Sequence, residues 1–402
     1  MKRSMILWAV ILLNGVVCGA EMKLTDPEAT AETKALYRNL AKVAQEGILF
    51  GHEDTLAYGV GWKATADDFD SDVRRVCGKF PAVFGWDLGH IGTPANIDGV
   101  PFEDMKVWIA KGYAKGGIST ISWHARIPGS TKSSWTREKV VTRLLPEGDL
   151  HQAYLAKLDE VAAFLADLKG PEGGPVPIIF RPFHEHNGSW FWWGADWCTP
   201  DEYKAIWRFT IDYLRKTKDL HNIITCYSPD RFKDVEEYLE RYPGDDLIDI
   251  LGHDNYGDLR SPDNKEQARK AMETVVTLAE QRNKIAAFTE TGVGQGPRHA
   301  KWWTDILLPV IKASDATRKL AWVLVWRNAD QRQNYAPFPE AATAENFKVF
   351  EADSFTLFLE DLPPMYKYRG ELTRVCQSIS RLAAMMIMPS TTPPMTRCPW
   401  PY

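Results

Sequence analysis

Eight times along this chain a short, continuous apolar run ends in polar or charged side chains. The runs are GILFGHED (47–54), PAVFGWDLG (81–89), GISTISWHA (117–125), VPIIFRPFHE (176–185), NIITCYSP (222–229), LIDILGHDNYG (247–257), KIAAFTETG (284–292) and LAWVLVWRNA (320–329). Continuous rather than alternating hydrophobicity marks strands covered on both faces, as in a parallel sheet. Amphipathic stretches lie between the runs. Residues 149–169 place Leu and Ala at three-to-four spacing, residues 199–216 open with Thr, Pro and two acids, and residues 261–282 open with Ser then Pro. Both openings are helix N-cap signatures. Eight strand-then-helix units predict a protein of the α/β class, a (β/α)8 or TIM barrel in a single domain. The competing arrangement, a doubly wound sheet, would call for a GxGxxG turn after the first strand, and the sequence has none there.

The polar residues sit at one end of their runs: His52, Glu53 and Asp54; Asp87; His124; Arg181, His184 and Glu185; Asp254, Asn255 and Tyr256; Glu290; Trp326 and Arg327. In every case this is the C-terminal end. In barrels of this kind that end carries the active site, so residues far apart in sequence are expected to meet at one mouth.

Two of them are carboxylates on runs four and seven, which lie across the ring from each other. Glu185 sits in RPFHEHNGSWFWWG (181–194), which packs one Arg, two His, one Glu and five aromatic residues into fourteen positions. Apolar rings disfavour a charged carboxylate and predict a raised pKa, which suits an acid. Glu290 follows 105 residues later (290 − 185), between Thr289 and Thr291. Those hydroxyls, and Arg327 on the next run, are expected to hold it ionised. A protonated acid facing an ionised carboxylate is what cleavage of a glycosidic bond requires, with the pair ~5–5.5 Å apart in retaining enzymes and ~6.5–9.5 Å apart in inverting ones. Such a pair calls for no cofactor and no metal. A metal site on His184, Glu185 and His186 is disfavoured, because strand alternation would turn Glu185 away from both imidazoles. No HExxH helix is present. A metallohydrolase using His52, His124 and His184 stays open as an alternative, as does a non-catalytic polysaccharide binder.

Composition narrows the partner. A net charge of −5 gives no basic footprint for nucleic acid. The 16 Trp exceed what a core needs and suggest stacking surfaces for sugar rings. Trp62, Trp123, Trp135, Trp190, Trp192, Trp193, Trp302, Trp303 and Trp326 are candidates, about half of them expected at the cleft, while Trp207 and Trp322 read as core. Lys2 and Arg3 followed by the apolar stretch 5–17 and the small residues Cys18-Gly19-Ala20 predict a signal peptide over 1–20. Lipid anchoring at Cys18 is the less favoured outcome, since Gly15-Val16-Val17 matches a lipobox poorly. The barrel is expected over 21–365 and a Met-, Ser-, Thr- and Pro-rich tail over 366–402. No later stretch is long and apolar enough to span a membrane. The expectation is a secreted, periplasmic or cell-surface monomer. The six Cys lack CxxC spacing, and one or two bridges are open.

RPFHEHNGSWFWWG followed by FTETG resembles glycoside hydrolase family 26, the β-mannanases of the retaining (β/α)8 clan, from about Leu36 to Leu362. The resemblance implies that Glu185 is the acid/base and Glu290 the nucleophile. It implies that His184 contacts the nucleophile and the sugar, Trp190 lies near the leaving group, and Tyr256 bonds the nucleophile. Trp326 would be the platform under the reacting sugar, Arg327 its polar neighbour, and His124 and Trp135 further substrate contacts. Asp87 joins this set as a strand-end carboxylate and Arg181 as a group that positions the chemistry. The implied function is secreted, endo-acting cleavage of β-1,4-mannosidic bonds in mannan, glucomannan, galactomannan or manno-oligosaccharides. An exo-acting mannobiose-releasing enzyme, a mixed-linkage β-glucanase and a β-1,3-xylanase are the alternatives within the family.

Overall fold

All eight apolar runs form strands: β1 Ile48–Glu53, β2 Val83–Asp87, β3 Ile118–Trp123, β4 Ile178–Pro182, β5 Ile223–Tyr227, β6 Ile250–Leu251 resuming at Asp254–Asn255, β7 Ile285–Thr291 and β8 Leu320–Val325. Each pairs in parallel with its successor. The ring closes where β1 meets β8, with Leu49 opposite Trp322 and His52 opposite Val325. The chain is therefore a (β/α)8 barrel. This is a computed structural model that describes residues 22–296 and 298–367. The expected signal peptide, Cys18 and all of the expected tail except Tyr366 and Lys367 lie outside the described residues.

Successive strand residues face opposite sides of the barrel wall, and the core divides accordingly. Leu49, Val83, Ile118, Ile179, Ile224, Ile250, Ala287 and Trp322 form one buried cluster with Leu36 and Leu40 of the helix Ala31–Val43. Phe50, Phe84, Ile121, Phe180, Ile223 and Phe288 belong to the other, packed against the surrounding helices. The first cluster fills the barrel from its N-terminal end, so the polar mouth at the other end is the one that stays open.

The expected helices form, with sharper ends. Residues 149–169 become His151–Asp167. Thr199 caps Pro200–Asp212 through a capping box with Glu202. Ser261 caps a 3-10 turn, Pro262–Asn264, that leads into Lys265–Gln281. Cys77, Cys198 and Cys226 are free thiols. Tyr366 still packs on the barrel, its hydroxyl donating to the Gly117 carbonyl at 2.6 Å. Among the described residues no helix is long and apolar enough to cross a membrane.

Candidate active site

The strand expected to run to Glu185 stops at Pro182. Phe183 and Glu185 then adopt left-handed backbone, φ 54° and 51°, a region non-glycine residues seldom enter. Strand alternation ends with it, and three successive side chains part company. His184 turns to His124, ring centroids 4.7 Å apart. His186 turns back between Tyr203 and Tyr227, at 4.4 and 4.8 Å. Glu185 faces Trp190, whose Nε1 donates to its Oε2 at 2.8 Å. The two imidazoles therefore do not share a side, contrary to the expectation from a regular strand.

The aromatic residues of RPFHEHNGSWFWWG stabilise this turn. The Trp193 indole donates to the His184 carbonyl at 2.8 Å, and the Tyr203 hydroxyl donates to the Phe183 carbonyl at 2.8 Å. Trp192 reaches across to the Ala125 carbonyl, also at 2.8 Å. Buried carbonyls that lack ladder partners must find donors elsewhere, and here the rings supply them. Phe183, Trp192 and Trp193 are fully buried.

Glu290 ends up in a different setting. Its Oε1 accepts from Arg181, and its Oε2 accepts from the Tyr256 hydroxyl at 2.9 Å. Arg181 also donates to Asp254 Oδ2 at 2.9 Å and to Ser228 Oγ at 3.0 Å. The expected donors do not reach Glu290. Thr289 donates to Asp254 Oδ1 at 2.5 Å and Thr291 to the Asn255 carbonyl at 2.8 Å, because alternation turns both hydroxyls from the carboxylate between them. Arg327 pairs instead with Asp98 Oδ1 at 2.8 Å.

Oxygens of Glu185, Asp254 and Glu290 lie within 4.8 Å of one another. Such a trio could hold a cation, but the Arg181 guanidinium already bonds an oxygen of both Glu290 and Asp254. Among the described residues, His52, His124 and His184 do not bring their ring nitrogens together in this way. Burial, with the Glu290 and Asp254 charges, pushes the Glu185 carboxyl well above the usual range, against the pull of the Trp190 N–H. Burial, with the Arg181 and His124 charges, holds His184 well below the usual histidine range, so its ring is neutral.

A second group lines the mouth from β2, β3 and β8. His124 Nδ1 meets Asp87 Oδ2 at 2.8 Å. Burial disfavours the charged ring, but the Asp87 carboxylate outweighs it and raises the His124 pKa. Trp135, 49% exposed, stacks on His124 at 5.2 Å and 17°, and half-buried Trp326 meets the same ring at 6.0 Å. Asp87 lies behind His124, fully buried, with Ser122 Oγ at 2.6 Å and the Gly89 N–H at 2.5 Å also on its carboxylate. It orients the imidazole and presents no free oxygen to the cleft. Arg181 is likewise buried.

Of the nine candidate platforms, Trp123, Trp192, Trp193, Trp302 and Trp303 are core, while Trp62, Trp135, Trp190 and Trp326 keep exposed area. Trp207 and Trp322 are buried as expected. Asp254, Ser228 and Asp98 also belong to the site's polar network. Asp254 carried a signal in the strand-end run HDNYG; Asp98 lies in a loop with none. Tyr335, in the loop after β8, has no such signal either. It meets Tyr256 edge-on at 5.8 Å, and a Cβ at Gly292 (φ 125°) would approach its ring to 2.8 Å.

A close carboxylate pair at a barrel mouth, with opposite hydrogen-bond settings and exposed rings beside it, defines a glycoside hydrolase. Residues 25–337 match the profile of glycosyl hydrolase family 26. The structure is similar to that of a family 26 β-mannanase from Bacteroides ovatus, at 43% identity and TM-score 0.80, covering 85% of this chain and 98% of that one. It is also similar to an endo-β-1,4-mannanase from Cellulomonas fimi, at 34% identity and TM-score 0.81, covering 87% and 80%. In sequence it is 34% identical over 361 residues to a mannan endo-1,4-beta-mannosidase of Bifidobacterium adolescentis, covering 84% of this chain. The match spans only 35% of that longer protein. The chain belongs to glycosyl hydrolase family 26.

Proposed function

We propose that this glycoside hydrolase is an endo-β-1,4-mannanase that cleaves mannan, glucomannan or galactomannan with retention of configuration. The observation that carries the chemistry is the contrast within the pair. Glu290 receives a guanidinium and a phenol hydroxyl, whereas Glu185 receives one indole N–H. The ionised Glu290 attacks the anomeric carbon while the Glu185 carboxylic acid protonates the departing oxygen. Esterification removes the Glu290 charge, which had raised the Glu185 pKa, and Glu185 then takes a proton from water that attacks the ester. Oxygens within 4.8 Å support a nucleophile rather than an intervening water, since inverting pairs stand ~6.5–9.5 Å apart.

The mannan specificity is supported by the names of the relatives, and the exposed Trp135 and the half-buried Trp326 supply stacking faces for a sugar chain. The residues 1–20 read as a leader, which supports action outside the cytoplasm. The test is a time course on linear mannan, galactomannan and mixed-linkage β-glucan. Endo action predicts a fall in viscosity ahead of reducing-end release, and retention predicts that proton NMR first detects the β anomer. Immediate mannobiose release without a fall in viscosity would replace endo with exo action. An initial α product would rule out Glu290 as nucleophile.

A further inference from the structure

Beside the cleft lies a second cavity of about 350 Å³, lined by His90, Trp123, Arg126, Ile127, Thr131 and Lys157 among others. That volume is at the small end of ligand sites, which run to ~300–1,000 Å³. It is separated from the cleft by one loop. The chain leaves β3 through His124, turns at Gly129 (φ 76°) with the Ile127 N–H bonding the Lys132 carbonyl at 3.0 Å, and returns to Trp135. His124 and Trp135, stacked on each other at the two ends of that loop, border the cleft. Residues 127–131 between them line the cavity.

The cavity carries uncompensated positive charge. Lys157 is neutralised by Glu160 and bonds the Ile91 carbonyl at 2.8 Å. Arg126 has no hydrogen bond or ion pair among the described residues, and its Nε is buried without a partner. A guanidinium half removed from water normally pairs with a carboxylate, often through two parallel bonds. His90, held in left-handed backbone at φ 69°, faces the same space. Burial and then the Arg126 charge lower its pKa, against the smaller opposing pull of Asp87. Thr131 and Ser130 add polar residues to the lining and Ile127 an apolar one, a mixture suited to a sugar rather than to a bare ion.

We infer that this cavity binds the carboxylate of an acidic sugar substituent, a hexuronic acid borne by the polysaccharide whose backbone lies in the cleft. The guanidinium of Arg126 would grip the carboxylate, and His90 would lie beside it. The inference rests on the cleft binding a mannan backbone, as proposed above. A neutral branch such as galactose leaves Arg126 unpaired and is not the ligand this charge selects.

Wild type and Arg126→Gln are compared on a linear manno-oligosaccharide, on the same backbone bearing glucuronic acid, and on one bearing galactose. The variant is expected to lose about ten- to a hundredfold in kcat/KM on the acidic substrate, the worth of a bond to a charged group. It should match wild type on the other two. Added salt should weaken turnover of the acidic substrate alone. Equal losses on all three substrates, or none on the acidic one, overturn the inference. Failure of wild type to cleave the linear backbone overturns the mannanase reading instead. The cavity is then still tested by NMR. D-glucuronate should move the His90 ring signals of wild type but not of Arg126→Gln, and D-glucose should move neither. Equal responses to the acid and the neutral sugar overturn the inference.

Discussion

The ends of β4 and β7 each present one glutamate to the same small volume, yet they are built on opposite plans. At β7 the strand runs on through Thr291, and Glu290 gains its donors from elsewhere in the ring, Arg181 on β4 and Tyr256 just after the neighbouring β6. At β4 the strand breaks, two left-handed residues aim Glu185, and the aromatic residues around it are spent on satisfying the turn's carbonyls. One carboxylate is held by two donors; the other receives a single indole N–H, and burial raises its pKa. The different roles proposed for these identical side chains rest on the number of donors within reach, and that number is a property of the assembled barrel.

The comparison breaks most severely if Glu290 is removed. Glu290→Ala is expected to lower turnover on the order of 10⁴-fold or more, while oligosaccharide binding stays measurable by calorimetry. Near wild-type turnover would end its assignment as nucleophile. Glu185→Gln should cost about 10²–10⁴-fold on mannan, the usual contribution of a general acid. On a mannoside with a dinitrophenolate leaving group, which needs no proton, the loss of the first step should largely vanish. Equal losses on both substrates would remove the acid role. Tyr256→Phe deletes one donor to the charged Glu290, and kcat/KM should fall about ten- to a hundredfold; an unchanged value would mean that Arg181 alone suffices.

The smallest effect concerns pH. The first step needs protonated Glu185, so activity is present below its raised pKa and is lost as pH rises through it. The Trp190 N–H favours the ionised form. Trp190→Phe therefore raises the Glu185 pKa further and moves the alkaline limb of the pH–rate profile upward, by less than about one pH unit for a bond worth ~1 kcal/mol. A limb that moves downward, or stays in place, would show that the indole does not bear on the acid.

Much of the frame was legible from pattern alone. The eight apolar runs, the capped helix starts at Thr199 and Ser261 and the polar residues at C-terminal strand ends follow from local chemistry, which each segment carries with it. The site was less legible where it depends on direction. Thr289 and Thr291 flank Glu290 in sequence and serve Asp254 and Asn255 instead. Asp87 sits behind His124, and five of the nine tryptophans proposed as platforms are packing. No run in the sequence marks Asp98, the partner of Arg327, because a loop residue has no periodicity to read.

By itself the sequence determined that this chain closes a parallel barrel and that two glutamates stand at its open end. Hydrophobic runs decide which segments are buried on both faces, and run order decides the order of the ring. Only the tertiary structure decided which donors each glutamate receives. Arg181 reaches Glu290 across 109 positions of sequence, while the threonines one position away are turned aside. A strand alternates its faces at every residue, so neighbours in sequence are held apart and partners are supplied by other strands once the ring has closed.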